Sequence, residues 1–208
     1  MILFAFAVNI ISCKKKSEDI YSCNSVINEK VKKTRTENQN ITRAELASKG
    51  LDEQFAIFRS LTSENKLRIY KEKIDLLLST NNYSSIELQY LNSVRNSTSS
   101  SVYDLDVDAR EELNTYHYNY QKNTLGWSEL DIVSSLETWL TENELIILQK
   151  QLPNGGGGTP PTPDCHCRKD IWCDFSGTTG YDCDWGGCKV TSGCGWLSGS
   201  DCKGRCKL

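Results

Sequence analysis

Histidine is scarce in this chain of 208 residues, which contains only His117 and His166. Histidine is the side chain used most often in acid–base catalysis and metal binding, so its scarcity limits both kinds of site. The sequence also lacks the Gly-x-Ser-x-Gly, His-Glu-x-x-His and phosphate-loop motifs of common active sites. We therefore predict that the protein is not an enzyme and has no catalytic residues, no cofactor and no metal site.

A basic excess is also missing. The chain has 24 lysines and arginines against 27 aspartates and glutamates, which gives a net charge of −3 and an isoelectric point near 5.5. Proteins that bind nucleic acids normally carry surplus positive charge to neutralise phosphates. The composition therefore argues against a nucleic-acid partner.

Cysteine and proline are absent from the middle of the chain. Residues 24–152 contain neither, and their only glycines are Gly50 and Gly126. All four prolines lie in the run from 153 to 164, and eight of the ten cysteines lie between 165 and 206. Such uneven placement excludes one uniform domain. It predicts a middle region (24–152), a linker (153–164) and a cysteine-rich tail (165–208).

The middle region has apolar residues at helical spacing. The stripes are Leu51, Phe55 and Phe58; Leu67, Tyr70, Ile74 and Leu77; Ile86, Tyr90 and Val94; Ala109, Leu113, Tyr116 and Tyr120; Ile132, Leu136 and Trp139; and Leu145, Leu148 and Leu152. Ser84–Glu87 and Thr141–Glu144 have the spacing of capping boxes. Breaks fall at 81–82, 96–101 and 124–126. We predict an all-α region of six or seven helices, long enough to close a small core.

Two clusters in the helical region resemble sites. Asp104, Asp106 and Asp108 occupy the first three ligand positions of a calcium loop, but the glycine and the bidentate glutamate that should follow are missing. The better interpretation is that they favour a helix N-terminus. Tyr116 and Tyr120 fit a buried stripe, which leaves His117 without an evident partner. We interpret this region as scaffold.

The first twelve residues are uncharged and mostly apolar, which is too short for a membrane span but typical of a signal peptide. Ile10-Ile11-Ser12-Cys13 resembles a bacterial lipobox, in which Cys13 would carry the lipid and residues 13–23 would form a tether. The basic segment expected before a signal core is missing, so the true start lies upstream in this interpretation. The alternative is a plain hydrophobic terminus in which Cys13 pairs with Cys23. Cysteine parity favours that alternative, and the pattern around Cys13 favours lipidation.

The linker joins a flexible glycine run (155–158) to a stiffer segment with three prolines. No helix can continue through it, so it marks a domain boundary. Exposed flexible backbone is also where proteases cut. The segment is therefore either a plain linker or a processing site that releases the tail.

The tail has too few apolar residues to fold by burial alone. Its aliphatic side chains are Ile171, Val190, Leu197 and Leu208. Cross-links must supply the missing stability, and export favours disulfides over thiols. The predicted disulfide cysteines are Cys165, Cys167, Cys173, Cys183, Cys188, Cys194, Cys202 and Cys206, with pairing left open. Zinc is the weaker alternative because paired Cys-x₂₋₄-Cys knuckles are nearly absent.

Three tryptophans and a basic C-terminal run could contact a target. Tryptophan is enriched at membrane interfaces and at binding hot spots, and lysine and arginine favour anionic envelopes. The predicted contact residues are Trp172, Trp185, Trp196, Lys203, Arg205 and Lys207. In the alternative interpretation the tryptophans only shield the disulfides.

The tail resembles the fulvocin C-related bacteriocin family of Gram-negative bacteria. The resemblance rests on the Cys165-x-Cys167 opening, the Gly193–Trp196 segment and the overall order of signal, helical region, linker and cysteine-rich tail. Leu61–Lys66, running into Tyr70–Lys73, is also similar to that group. The cysteine gaps depart from the family pattern, most visibly in the long gap after Cys173 and in the closing Cys-x₃-Cys.

The resemblance implies an exported antibacterial protein or precursor. Its tail would bind envelope components of competing bacteria, and an immunity protein would be a further partner. The expected location is the outer membrane through a lipid anchor, or the medium after processing. The alternative is a surface-anchored lipoprotein whose tail is a non-catalytic binding or adhesion module.

Overall fold

A computed structural model describes residues 20–22, 24–80 and 82–151, together with 183–184, 197 and 205–206. The predicted signal peptide, the linker and most of the tail lie outside these residues.

Helices dominate the described part of the chain. They are α1 (Ser25–Lys33), α2 (Arg35–Asn38), α3 (Arg43–Ala47), α4 (Leu51–Ser60), α5 (Ser63–Ser79), α6 (Ser85–Ser97), α7 (Val107–Asn123), α8 (Glu129–Ile132) and α9 (Glu142–Gln151). A 3₁₀ turn (Ser100–Tyr103) precedes α7, and a π-helical turn (Val133–Glu137) follows α8. These nine α-helices within the described residues exceed the six or seven predicted, because α2, α3 and α8 have only four or five residues.

Side-chain caps fix several helix starts. Glu87 accepts a hydrogen bond from the backbone N–H of Ser84 at 2.7 Å, which confirms the predicted capping box of α6. Glu144 accepts from the backbone N–H of Thr141 at 2.7 Å, and the Thr141 hydroxyl accepts from the Glu144 N–H, which confirms the second box. Each pair satisfies two backbone donors that a helix start leaves open.

The core is built around α4, in which all residues from 54 to 60 are buried. The ring of Phe58 stacks on Trp139 with centroids 4.6 Å apart, and Phe55 meets the same indole edge-on at 5.0 Å. Tyr70 of α5 completes the group, 6.0 Å from Phe58. The predicted stripes of α4 and α5 are confirmed at these aromatic positions.

The predicted stripe of α7 is confirmed at Leu113 and Tyr120, which pack against the core, and is wrong at Tyr116. Tyr116 is 61% exposed and Tyr120 is only partly buried, whereas Asn114 and Gln121 are buried. The amide of Gln121 donates to a tyrosine hydroxyl of α6 at 3.1 Å, so a polar residue is satisfied on the inward face. Ile86 at the start of α6 is also exposed, at 45%, and so falls outside the core.

The fifth predicted stripe is buried but is not one helix. Ile132, Leu136 and Trp139 are all fully buried, as expected. Helix α8 ends at Ile132, the wider π-helical turn carries Leu136, and the backbone is extended at Thr138 (φ −140°, ψ 157°). Trp139 therefore reaches Phe58 from a non-helical segment, which a helical period cannot predict.

Two short strands lie in the tail. Strand β1 (Cys183–Asp184) pairs with β2 (Arg205–Cys206) in antiparallel register, with Cys183 opposite Cys206. Among the helices of the described ranges, none has the length and apolar character needed to cross a bilayer.

Candidate functional site

The tail meets the helical region at Leu197. This residue is fully buried, and it belongs to the same hydrophobic cluster as the helical core. The hydroxyl of Tyr103 donates a hydrogen bond to the carbonyl oxygen of Leu197 at 3.1 Å, across 94 residues of sequence. Tyr103 is in turn contacted by Phe58 and Lys66. We call these four residues, Leu197, Tyr103, Phe58 and Lys66, the Leu197 contact.

Tyr103 is positioned by α4 and α5. Its ring lies edge-on to Phe58, with centroids 6.3 Å apart. The ammonium nitrogen of Lys66 sits 5.7 Å from the Tyr103 centroid and 5.8 Å from that of Phe58, within cation–π range of both rings. The 3₁₀ turn that ends at Tyr103 packs on α5. These contacts therefore hold the Tyr103 ring, and with it the hydroxyl group, in a fixed position.

Burial sets the charge state of this contact. Burial, assisted by the neighbouring Tyr70, raises the pKa of Tyr103 well above its usual value, so the phenol stays protonated and remains a donor. Burial also lowers the pKa of Lys66 to about 8, although the carboxylate of Asp104 opposes that shift. At neutral pH the lysine is therefore still mostly charged beside the two rings.

The backbone of Leu197 is in the left-handed region, with φ of 51°. A β-carbon makes that conformation unfavourable by about 1 kcal/mol relative to glycine. Burying a leucine side chain contributes about 2 kcal/mol, which is larger. A leucine at this position is therefore understandable because its side chain enters the core.

A second candidate site is a groove of about 520 Å³ between α6 and α7. The residues that line it include Tyr90, His117, Tyr120, Tyr116, Ile86 and Leu105. The described lining residues include no lysine, arginine, aspartate or glutamate. Such a surface suits an uncharged or apolar group better than an ion.

His117 has a partner, contrary to the prediction from sequence. Its Nδ1 lies 2.9 Å from the hydroxyl of Tyr90, 27 residues earlier on α6. Gln121 also donates to that hydroxyl, so we assign the Tyr90 hydrogen to the bond with Nδ1. Burial lowers the pKa of His117 to about 4. A neutral, weakly basic imidazole is poorly suited to acid–base chemistry at neutral pH.

A second buried polar network involves Lys73 of α5. Lys73 is fully buried, and its ammonium nitrogen donates to the carbonyl of Leu140. Burial lowers the pKa of Lys73 to about 7, with a smaller effect from the nearby Arg43. Arg43 forms a bidentate pair with Glu144 at 2.8 and 3.2 Å, and it also donates to the carbonyl of Trp139 at 3.1 Å. These bonds tie α3 and α5 to α9 and to the segment before it, which is a structural role.

The acidic cluster before α7 is a helix cap, as predicted. The carboxylate of Asp106 accepts from the backbone N–H of Ala109 at 2.8 Å, and Asp104 accepts from the Ser63 hydroxyl at 2.9 Å. Across the described residues, no group of three or more histidine, cysteine or acidic side chains could hold a metal ion.

Most predicted tail residues lie outside the described residues, as does the lipidation candidate Cys13. Those residues are Cys165, Cys167, Cys173, Cys188, Cys194, Cys202, Trp172, Trp185, Trp196, Lys203 and Lys207. Arg205 lies in β2, opposite Asp184. Cys183 lies opposite Cys206 in the backbone register of the same strand pair.

Leu197 was not among the site residues predicted from sequence. It was noted only as one of four aliphatic side chains in the tail. That scarcity was the available signal, because a rare apolar residue in a polar module has few places to be buried.

Comparisons with known proteins add no identification. No protein-family model matches the chain, and neither a curated protein nor a solved structure is significantly similar to it. Functional inference therefore depends on the residues themselves.

Proposed function

We propose that this protein is an exported, bacteriocin-like antibacterial protein or precursor. Its cysteine-rich tail binds envelope components of competing bacteria, and its helical region carries the tail. The observation that supports the carrier role is the complete burial of Leu197 of the tail in the helical core. A passive spacer would not need to receive a side chain from the module that it carries.

The tail acts by binding, without covalent chemistry. The proposed contact residues are the three tryptophans and the basic run of the tail, Trp172, Trp185, Trp196, Lys203, Arg205 and Lys207. Indole rings suit the interface between headgroups and acyl chains, and cations suit anionic envelopes. The eight cysteines hold these residues in place through disulfides.

The proposed location follows from the N-terminus. A lipid on Cys13 would hold the precursor at the outer membrane of the producing cell. Cleavage in the linker would remove the covalent connection between that anchored part and the tail. A producing cell would then need an immunity protein against its own product.

Growth inhibition tests the proposed function directly. The oxidised protein is added to strains related to the producer in three forms: intact, cut in the linker, and as the tail separated from the cut protein. We expect the separated tail to inhibit growth, and we expect the variant with Trp172, Trp185 and Trp196 all changed to alanine to lose that inhibition. Reduced and alkylated protein serves as the second control. Inactivity of every oxidised form would exclude the antibacterial function.

The second candidate function is an anchored lipoprotein whose tail is a binding or adhesion module that is never released. The same Leu197 contact supports it, because a tail bound to the helical region is compatible with permanent display. Intact mass spectrometry of cells and medium separates the two functions. A tail fragment in the medium that gains eight hydrogens on reduction, two for each of four disulfides, favours the bacteriocin. Full-length protein on cells with lipid on Cys13 favours the anchored module.

A further inference from the structure

We propose that the Leu197 contact is a non-covalent latch that keeps the tail on the helical region after the linker is cut. Cleavage alone would then not release the tail, and a second event would have to open the latch. The biological meaning of this inference depends on the proposed function, but the physical claim concerns only the binding of the two parts.

The first argument is that the tail has few aliphatic side chains and buries one of them outside itself. The tail has four aliphatic side chains, Ile171, Val190, Leu197 and Leu208, and it places one of them completely inside the helical core. A small module that lacks apolar residues would be expected to retain them for its own interior. Burial of Leu197 in the helical region therefore indicates an interface between that region and the tail.

The second argument is the polar part of the contact. Tyr103 donates to the backbone carbonyl of Leu197 rather than to a side chain, so the bond fixes the position of the tail backbone. The donor ring is braced by Phe58 and Lys66. If the tail left, the partly buried phenol of Tyr103 would lose this acceptor, which costs free energy until water replaces it.

The third argument is the conformation of Leu197. Its left-handed backbone is unfavourable for leucine and persists only where surrounding contacts outweigh the strain. Release of the tail would relieve the strain but expose the side chain. The balance favours the bound state because burial of a leucine side chain is worth more than the strain.

The test uses the full chain with Cys13→Ser and Cys23→Ser, so that no disulfide from the N-terminal segment can join the two parts. The glycine run at 155–158 is replaced by the recognition sequence of a specific protease, and the protein is cut under oxidising conditions. Native mass spectrometry and size-exclusion chromatography then follow the two fragments. Denaturation without reductant must separate them, which shows that retention is non-covalent.

We expect the cut protein to remain one complex. We expect Leu197→Asp to weaken binding of the fragments by at least about 100-fold, because the variant would bury a carboxylate where a leucine belongs. The matched control is Ile147→Asp, since Ile147 is an apolar residue of α9 that is 55% exposed. Separation of the cut unsubstituted fragments, or retention of the Leu197→Asp tail, would overturn the latch.

Tyr103→Phe keeps the latch testable if the aspartate variant misfolds. It removes one hydroxyl and leaves the ring, so we expect the fragments to bind about fivefold more weakly. Tyr116→Phe is the control, because Tyr116 is 61% exposed on α7. Equal affinities for the Tyr103→Phe and Tyr116→Phe proteins would contradict the assigned hydrogen bond.

The two hypotheses fail in different ways. A tail that stays bound after cleavage but does not inhibit growth once separated by denaturation and refolding would exclude the antibacterial function and leave the latch intact. A tail that dissociates at once and inhibits growth would exclude the latch and support the antibacterial function.

Discussion

The helical region and the cysteine-rich tail differ in the residues available to stabilise them. The helical region contains no cysteine between residues 24 and 152, and it buries a continuous cluster of apolar and aromatic side chains. The tail has four aliphatic residues and eight cysteines. Leu197 is the described point at which one part takes a stabilising side chain from the other. The comparison indicates that a tail with few apolar residues can still give one of them to the core of the helical region.

Reduction of the predicted disulfides is expected to produce the largest difference in stability between the two parts. Loss of cross-links worth about 2–4 kcal/mol each should unfold the tail, because little burial remains to replace them. The helical region should keep most of its protection, with any loss confined to the residues around Tyr103 that contact Leu197. Hydrogen-exchange mass spectrometry with and without reductant measures both parts at once. Equal loss of protection in the helices would mean that the two parts are not stabilised independently.

Trp139→Ala should have the largest effect on the helical region. The indole stacks on Phe58, meets Phe55 edge-on and donates to Gln54 at 2.8 Å. We expect a loss of about 3–5 kcal/mol in the free energy of unfolding, measured in urea by circular dichroism. Ile86→Ala, at a position that is 45% exposed, is the control and should cost less than about 0.5 kcal/mol.

The buried Lys73 should make stability rise with pH. Its pKa is about 7 in the folded protein and about 10.4 in the unfolded chain, so the unfolded state binds more protons between those values. The penalty is fully present below pH 7 and is relieved toward pH 10. We expect a change on the order of 4 kcal/mol across that window.

Lys73→Met isolates this contribution. The variant should lack the rise attributed to Lys73, and the difference between the two unfolding curves removes the similar contribution of Lys66. Loss of the donor to the Leu140 carbonyl shifts the variant by an amount that does not depend on pH in this window. Parallel curves for both proteins would show that Lys73 stays charged in the folded state.

His117 should produce a smaller change at acidic pH. Its pKa is about 4 when folded and about 6.5 when unfolded, so stability is lost as the pH falls from 6.5 to 4. Solvent screening at this partly exposed ring limits the loss to roughly 1 kcal/mol. We expect His117→Gln to show a correspondingly shallower loss in urea unfolding than the unsubstituted protein, although carboxylates titrate in both. The same slope in both proteins would contradict the assigned neutral imidazole.

Local patterns in the sequence predicted the local structure well. The capping boxes at Ser84 and Thr141, the break at Gly126 and the buried aromatics of α4 follow from short-range spacing and hydrogen bonding. Gly126 adopts φ of 72°, which a glycine permits and which turns the chain after α7. These features depend on neighbouring residues, so a single sequence is sufficient.

The sites depend on contacts that local spacing does not encode. The partner of His117 is on another helix, the inward face of α7 is polar, and Tyr103 meets Leu197 across 94 residues. A search for helical periodicity considers apolar residues, so it predicted that Tyr116 would be buried and did not predict burial of Gln121. Such positions become visible only when the helices are packed.

The rate at which Lys73 is acylated should also report how often the core opens. The neutral amine of a lysine attacks acylating reagents, but only where the reagent can reach it. Complete burial denies the reagent access. Surface lysines should therefore be labelled at once, whereas Lys73 should gain mass only as often as α5 separates from the segment that carries Leu140.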